Sequence, residues 1–176
     1  KLKSKLTKIE KTLLVRKGEE PEHKHSNYTI NEEDIDTSYI AGKEEVYNAM
    51  QEILKEGRDK SDHMIIDSRG MTEIIGQRSM DNVARAGHVP GATFIEWKNI
   101  TDFDEKRSFR DLDALEEFFK SQGITKDKTI YAYCHVGAGR SSHIITALQL
   151  LGYDNVKVYT GSWDEWGNDM NLPIRR

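Results

Sequence analysis

The chain has 176 residues, 36% hydrophobic and 32% charged, enough apolar side chains for one core beneath a heavily solvated surface. No apolar run approaches the ~18–20 residues that a membrane-spanning helix needs, and a single cysteine rules out an internal disulfide framework or a cysteine-rich metal cluster. A net charge of −4 argues against a nucleic-acid-binding module.

Residues 1–17 carry seven Lys or Arg against Glu10 alone, a local balance of +6 that leaves −10 for the rest. Leu2, Leu6, Ile9 and Leu13 recur at helical spacing. The stretch reads as a solvated helix or the stub of a neighbouring domain, with a basic helix lying on a membrane as the other reading. It lacks the unbroken apolar core and small-residue cleavage site of a signal peptide, which leaves the cytoplasm as the default compartment. Residues 18–41 read as a polar linker with a short strand at Tyr28–Ile30, and His23 and His25 as solvated linker histidines. Residues 1–41 are therefore taken as a basic segment and linker, and 42–176 as the folded domain.

Within that domain, Val46, Ala49, Met50, Ile53 and Leu54 predict a helix closed by Gly57. Met64–Ile66 is a short buried-type strand leading into Asp67-Ser68-Arg69, and a small helix is expected near Thr72–Gly76. A turn, Gly87-His88-Val89-Pro90-Gly91-Ala92, precedes a strand through Phe94 and Ile95. Leu112, Leu115, Phe118 and Phe119 mark a second helix, closed by Gly123. A strand at Thr129–Tyr133, a helix at Ser141–Leu151 closed by Gly152 and a strand at Val156–Tyr159 complete the series. Such alternation predicts an α/β fold, a mostly parallel sheet with helices on both faces. The active crevice of such a sheet lies beyond the carboxyl ends of its strands.

Cys134 sits at such an end, followed by His135, Val136, Gly137, Ala138, Gly139 and Arg140 before the next helix. Successive backbone N–H groups of a tight glycine loop converge on one point, and the following helix N-terminus adds positive potential there. That environment lowers a cysteine pKa and makes the thiolate a nucleophile. Arg140 supplies a fixed cation for an anionic substrate.

Four motifs in this order resemble those of rhodanese-fold sulfurtransferases: Asp67-Ser68-Arg69, the Gly87–Ala92 turn, Cys134 heading its glycine loop, and Gly161-Ser162-Trp163-Asp164-Glu165-Trp166-Gly167. The closing motif is most similar to the cysteine-bearing C-terminal domain of tandem or multi-domain members, so the chain is expected to be one module of a longer protein beside a second rhodanese-like domain. The resemblance implies that Cys134 takes a sulfane sulfur from a small anionic donor (thiosulfate, 3-mercaptopyruvate or a persulfide) and passes it to a thiol or cyanide. The terminal sulfur would be held by the N–H groups of His135 to Gly139, with no cofactor and no metal. Asp67 and Arg69 are expected to orient the fold by hydrogen bonding, His88 to serve its turn, and His143 to pack or cap. Trp163 and Trp166, with Glu165 beside them, are expected to support the site, the tryptophans lining a pocket rim, though two tryptophans packed on a core would give the same sequence.

Two departures matter. His135 and Glu73 stand where thiosulfate-specific members carry basic residues, which puts thiosulfate preference in doubt. The loop from Cys134 to Arg140 is one residue longer than the family's common length, as in rhodanese-fold cysteine phosphatases and arsenate reductases. Against that reading, Tyr133 rather than His precedes the thiol, and no Trp-Pro-Asp segment supplies a general acid. A non-catalytic persulfide carrier or binding module is the third reading.

Overall fold

The computed structural model describes residues 27–104, 108–137 and 139–176. Expectations for the basic segment, His23, His25 and Ala138 lie outside these residues. Two compact units divide between Asp36 and Thr37. In the first, Glu32–Asp34 form a 3-10 turn. Tyr28–Ile30 form no strand, and Tyr28 and Ile30 are exposed. Strand propensity alone does not make a strand without a ladder to join.

The second unit is built on a five-stranded sheet of β1 (Ile40–Ala41), β2 (His63–Asp67), β3 (Thr93–Phe94), β6 (Thr129–Tyr133) and β7 (Val156–Tyr159), in the order β1-β7-β6-β2-β3. Every pairing in it is parallel. β1 begins two residues before position 42, because Ile40 and Ala41 pair in register with Val158 and Tyr159. A separate antiparallel hairpin, β4 (Thr101–Asp102) with β5 (Ser108–Phe109), and a 3-10 turn at Trp97–Ile100 were not foreseen from the sequence.

Among the described residues four α-helices lie between strands, α1 (Lys43–Glu56), α2 (Met71–Ile74), α3 (Leu112–Ser121) and α4 (Arg140–Leu150), and α5 (Ser162–Asn168) follows the last strand. The period-two alternation of the central strands sends their side chains to two cores. Met64, Ile66, Ile130, Ala132, Val156 and Val158 pack with Leu115 and Phe119 of α3 and Ile144, Ile145 and Leu148 of α4. Ile65, Tyr131, Tyr133 and Tyr159 pack on the other face with Val46, Ala49, Met50 and Ile53 of α1 and Trp163 and Trp166 of α5. Helices thus cover both faces, and the carboxyl ends of β2, β3 and β6 open on one edge. No helix among the described residues is long and apolar enough to cross a membrane.

Candidate active site

Cys134 follows β6 directly and is 2% exposed. Its backbone N–H donates to Ser162 Oγ at 3.2 Å, and Ser162 donates in turn to the Tyr159 carbonyl at 2.9 Å. The N–H groups of Trp163 and Asp164 donate to the carbonyls of Cys134 and His135 at 3.0 and 2.8 Å. Because a trans peptide points its C=O and N–H in opposite directions, these two contacts turn the N–H groups of His135 and Val136 away from α5. Ser162 makes this approach from a left-handed conformation, φ 53°, an arrangement that costs a non-glycine residue roughly 1–2 kcal/mol.

The groups touching the sulfur come from both ends of the loop. Ser141 Oγ lies 3.6 Å from Sγ, and the Val136 and Gly137 carbonyls lie 3.3 and 3.8 Å from it. Burial pushes the Cys134 thiol up, but the N–H and hydroxyl of Ser141, the N–H of Gly139 and the charge of Arg140 outweigh it and hold the thiol below its ordinary value. Donors from Gly139 onward thus favour the thiolate, while carbonyls rather than N–H groups of Val136 and Gly137 face it. Gly137 turns the loop at φ 39°, where a side chain would be strained.

Arg140 begins α4, yet its guanidinium is already engaged. It donates to Glu73 at 2.6 and 3.1 Å, a two-point ion pair that joins α2, which follows β2, to the start of α4, which follows β6. Burial alone would raise the Glu73 carboxyl; the Arg140 hydrogen bonds and charge reverse that and hold it ionised below its usual range. Beside this pair lies a cavity of about 400 Å³, lined among others by Glu73, Arg78, Glu96, Trp97, Lys98 and Arg140.

His135 is buried, and its Nε2 sits 3.1 Å from Asn82 Oδ1. Asn82 Nδ2 donates to Asp164 Oδ1 at 2.5 Å, which fixes the amide and makes His135 Nε2 the protonated nitrogen. Burial keeps this imidazole below its ordinary pKa. Val136 is half exposed at the mouth of the loop.

Beneath the loop, Asp67 and Arg69 form a fully buried pair with contacts of 2.7 and 3.0 Å, and Arg69 also donates to the Gly87 carbonyl at 2.7 Å. Tyr133, the residue before the thiol, donates to Asp67 Oδ2 at 2.6 Å and accepts the Val89 N–H at 3.0 Å. Its hydroxyl proton is committed to Asp67. The Arg69 guanidinium lies 4.5 Å from the Trp163 ring centroid. The tryptophans do not line a pocket rim as expected but pack in the core: both are buried, with Trp163 Nε1 donating to the Arg85 carbonyl and Trp166 Nε1 to that of Pro173. Glu165 faces Tyr159 and Lys43, accepting from the Tyr159 hydroxyl at 2.8 Å. His88 bonds the Ile74 carbonyl through Nδ1 and bridges to Arg175 by its backbone, a turn role. His143 packs: it stacks on Phe109 at 4.4 Å, with Nε2 2.9 Å from Thr101 Oγ1.

Residues 50–169 match the family model described as a rhodanese-like domain. The chain belongs to the rhodanese-like family. It is 36% identical over 155 residues to the sulfur carrier protein TtuD of Thermus thermophilus, covering 79% of this chain and 53% of that one. Against a thiosulfate sulfurtransferase of Pseudomonas aeruginosa it is 35% identical over 127 residues, covering 72% and 45%. The chain spans about half the length of the curated relatives it matches. Among solved structures, the anaerobic ergothioneine biosynthesis enzyme of Chlorobium limicola, in complex with trimethyl histidine, superposes with a TM-score of 0.67 at 27% identity, covering 78% of this chain and 32% of that one.

Four contributors to this rhodanese-like site escaped sequence reasoning in their actual roles. Ser141 and Ser162 lay inside quoted motifs, but their hydroxyls became meaningful only once the sulfur and the Cys134 N–H were placed. Glu73 stands out in the sequence as a departure, but nothing there names Arg140 as its partner. Asn82 lies in an irregular stretch distant in sequence, and nothing in its surroundings signalled contact with His135.

Proposed function

We propose that this domain is a sulfurtransferase in which Cys134 carries the sulfur. The observation that supports it best is the thiol itself, buried at a strand end beneath Gly139, Ser141 and Arg140, which favour its ionised form. The thiolate attacks the sulfane sulfur of a donor, the bond from that sulfur to the donor breaks, and the leaving group departs with the electron pair. Cys134 is left as a persulfide. A thiol or cyanide then attacks the terminal sulfur, the S–S bond breaks, and the Cys134 thiolate is regenerated. The names of the curated relatives support sulfur transfer as the chemistry. TtuD, named a sulfur carrier, favours a second version in which the acceptor is another protein's thiol. Spanning half the length of these relatives fits a working partnership with a second rhodanese-like domain.

The phosphatase alternative needs a protonated acid beside the leaving oxygen. Glu73, the carboxylate bound to the loop's own arginine, is held ionised, and Tyr133 spends its proton on Asp67.

Intact-mass spectrometry after treatment with a sulfane-sulfur donor tests the reading. The wild-type chain gains the mass of one sulfur atom and loses it to cyanide, whereas Cys134→Ser gains none. Cyanide-dependent turnover by Cys134→Ser, or Cys134-dependent aryl phosphate hydrolysis with no persulfide from any donor, would refute it.

A further inference from the structure

The loop offers one fixed cation to an incoming anion, and that cation is occupied. Glu73 grips Arg140 through both of its carboxylate oxygens, and one of them also accepts the Gly70 N–H at 3.3 Å, which pins the carboxylate in place. The next guanidinium inward, Arg69, is spent on Asp67 and Gly87. An inorganic dianion approaching Cys134 therefore meets a thiolate and an Arg140–Glu73 pair with no net positive charge to offer it.

The adjoining cavity points to a different guest. At about 400 Å³ it exceeds what a small inorganic anion fills, and it falls within the ~300–1,000 Å³ range of small-molecule sites. Its walls carry both signs of charge. Glu73 and Glu96 converge over Gly70, where a Cβ would lie 3.7 and 3.8 Å from their respective carboxylate oxygens. Lys98 stands 3.4 Å from Glu96, and among the described residues no carboxylate pairs with Arg78. A guest with one ammonium and one carboxylate can set the ammonium between Glu73 and Glu96, in exchange with the exposed Lys98, and the carboxylate against Arg78.

We propose that Glu73 is the specificity-determining residue of this site, closing Arg140 to inorganic dianions and selecting zwitterionic organic persulfides of amino-acid size. The inference rests on the sulfurtransferase reading and names its donor class. In the step it favours, the Cys134 thiolate attacks the outer sulfur of R–S–SH. The donor S–S bond breaks, R–S⁻ leaves, and Cys134–S–SH forms with the proton kept on the transferred sulfur. No oxidant or reductant is consumed.

The test measures the rate of Cys134 persulfide formation against donor concentration, by intact mass on quenched samples, for thiosulfate and for cysteine persulfide. Wild type, Glu73→Gln and Glu73→Asp are compared. Gln keeps an acceptor for the Gly70 N–H while removing the charge; Asp keeps the charge and shortens the reach. Wild type should favour cysteine persulfide. Glu73→Gln should lower the thiosulfate KM about tenfold, as expected for leaving Arg140 an unpaired cation at short range, with a smaller change in kcat. It should also raise the KM for cysteine persulfide. Glu73→Asp should keep the wild-type preference. Equal slowing of both donors by Glu73→Gln would make the pair a loop brace and overturn the proposal. So would a wild type that takes thiosulfate as readily as cysteine persulfide, a result that needs no variant to fold. Wild-type protein that accepts sulfur from neither donor would instead refute the sulfurtransferase reading beneath it.

Discussion

Replacing Asp67 by Asn removes one charge and almost no volume, so its effect isolates the electrostatics under the thiol loop. In the native chain Asp67 Oδ1 accepts from the Arg69 backbone and Nε, and Oδ2 from Arg69 Nη2 and the Tyr133 hydroxyl. Burial alone would weaken Arg69's hold on its proton; the hydrogen bonds and charge of Asp67 more than reverse this. With Asn in place, the buried Arg69 guanidinium keeps the Gly87 carbonyl but loses its counter-ion. Breaking one side of a buried pair costs about 3–5 kcal/mol, a large share of the roughly 5–15 kcal/mol that holds a typical domain folded. Urea unfolding followed by tryptophan fluorescence should show that loss, since Trp163 lies against Arg69. Adding Arg69→Met should recover much of it, because the stranded charge leaves with the side chain. A loss under about 1 kcal/mol for Asp67→Asn, or an Arg69→Met change that simply adds to it, would refute the reasoning.

Ser141→Ala removes a hydroxyl donor from the sulfur and should move the acidic limb of Cys134 alkylation by iodoacetamide to higher pH; an unmoved limb would take Ser141 out of the electrostatics. Gly87→Ala would set a Cβ 2.2 Å from the Arg175 carbonyl at φ 132°, so it should release the His88–Arg175 backbone bridge and lower the melting temperature, and an unchanged melt would show the C-terminal segment to be dispensable. Glu73 has a folded-state pKa below its ordinary value, so its ion pair contributes stability above that ordinary value and loses it as pH falls through the depressed one. Glu73→Gln should therefore flatten the acid side of the stability–pH curve, and an unchanged curve would count against the pair.

Much of the scaffold was legible because it is written locally. The strands at Thr129–Tyr133 and Val156–Tyr159 lie where their apolar runs put them. The helices before Gly57, Gly123 and Gly152 end at glycines that turn into positive φ. Cys134 at the head of a glycine loop announced the nucleophile candidate for the same reason: thiol, loop and helix start are contiguous in sequence. Two-residue strands such as Ile40–Ala41 carry no periodicity of their own and exist only because β7 offers them a ladder. The hairpin Thr101–Asp102 with Ser108–Phe109 is likewise too short to announce itself. Charge bookkeeping along the chain presented Arg140 as a cation ready for substrate. Folding placed Glu73, from the short helix after a different strand, within hydrogen-bond reach of it. The same convergence brought Asn82 to His135, and Ser162 to the Cys134 amide. Sequence determined which residue types stand next to the thiol along the chain; only the parallel packing of β2, β6 and β7 decided which of them neutralise one another, because an ion pair depends on distance in space rather than on separation in sequence.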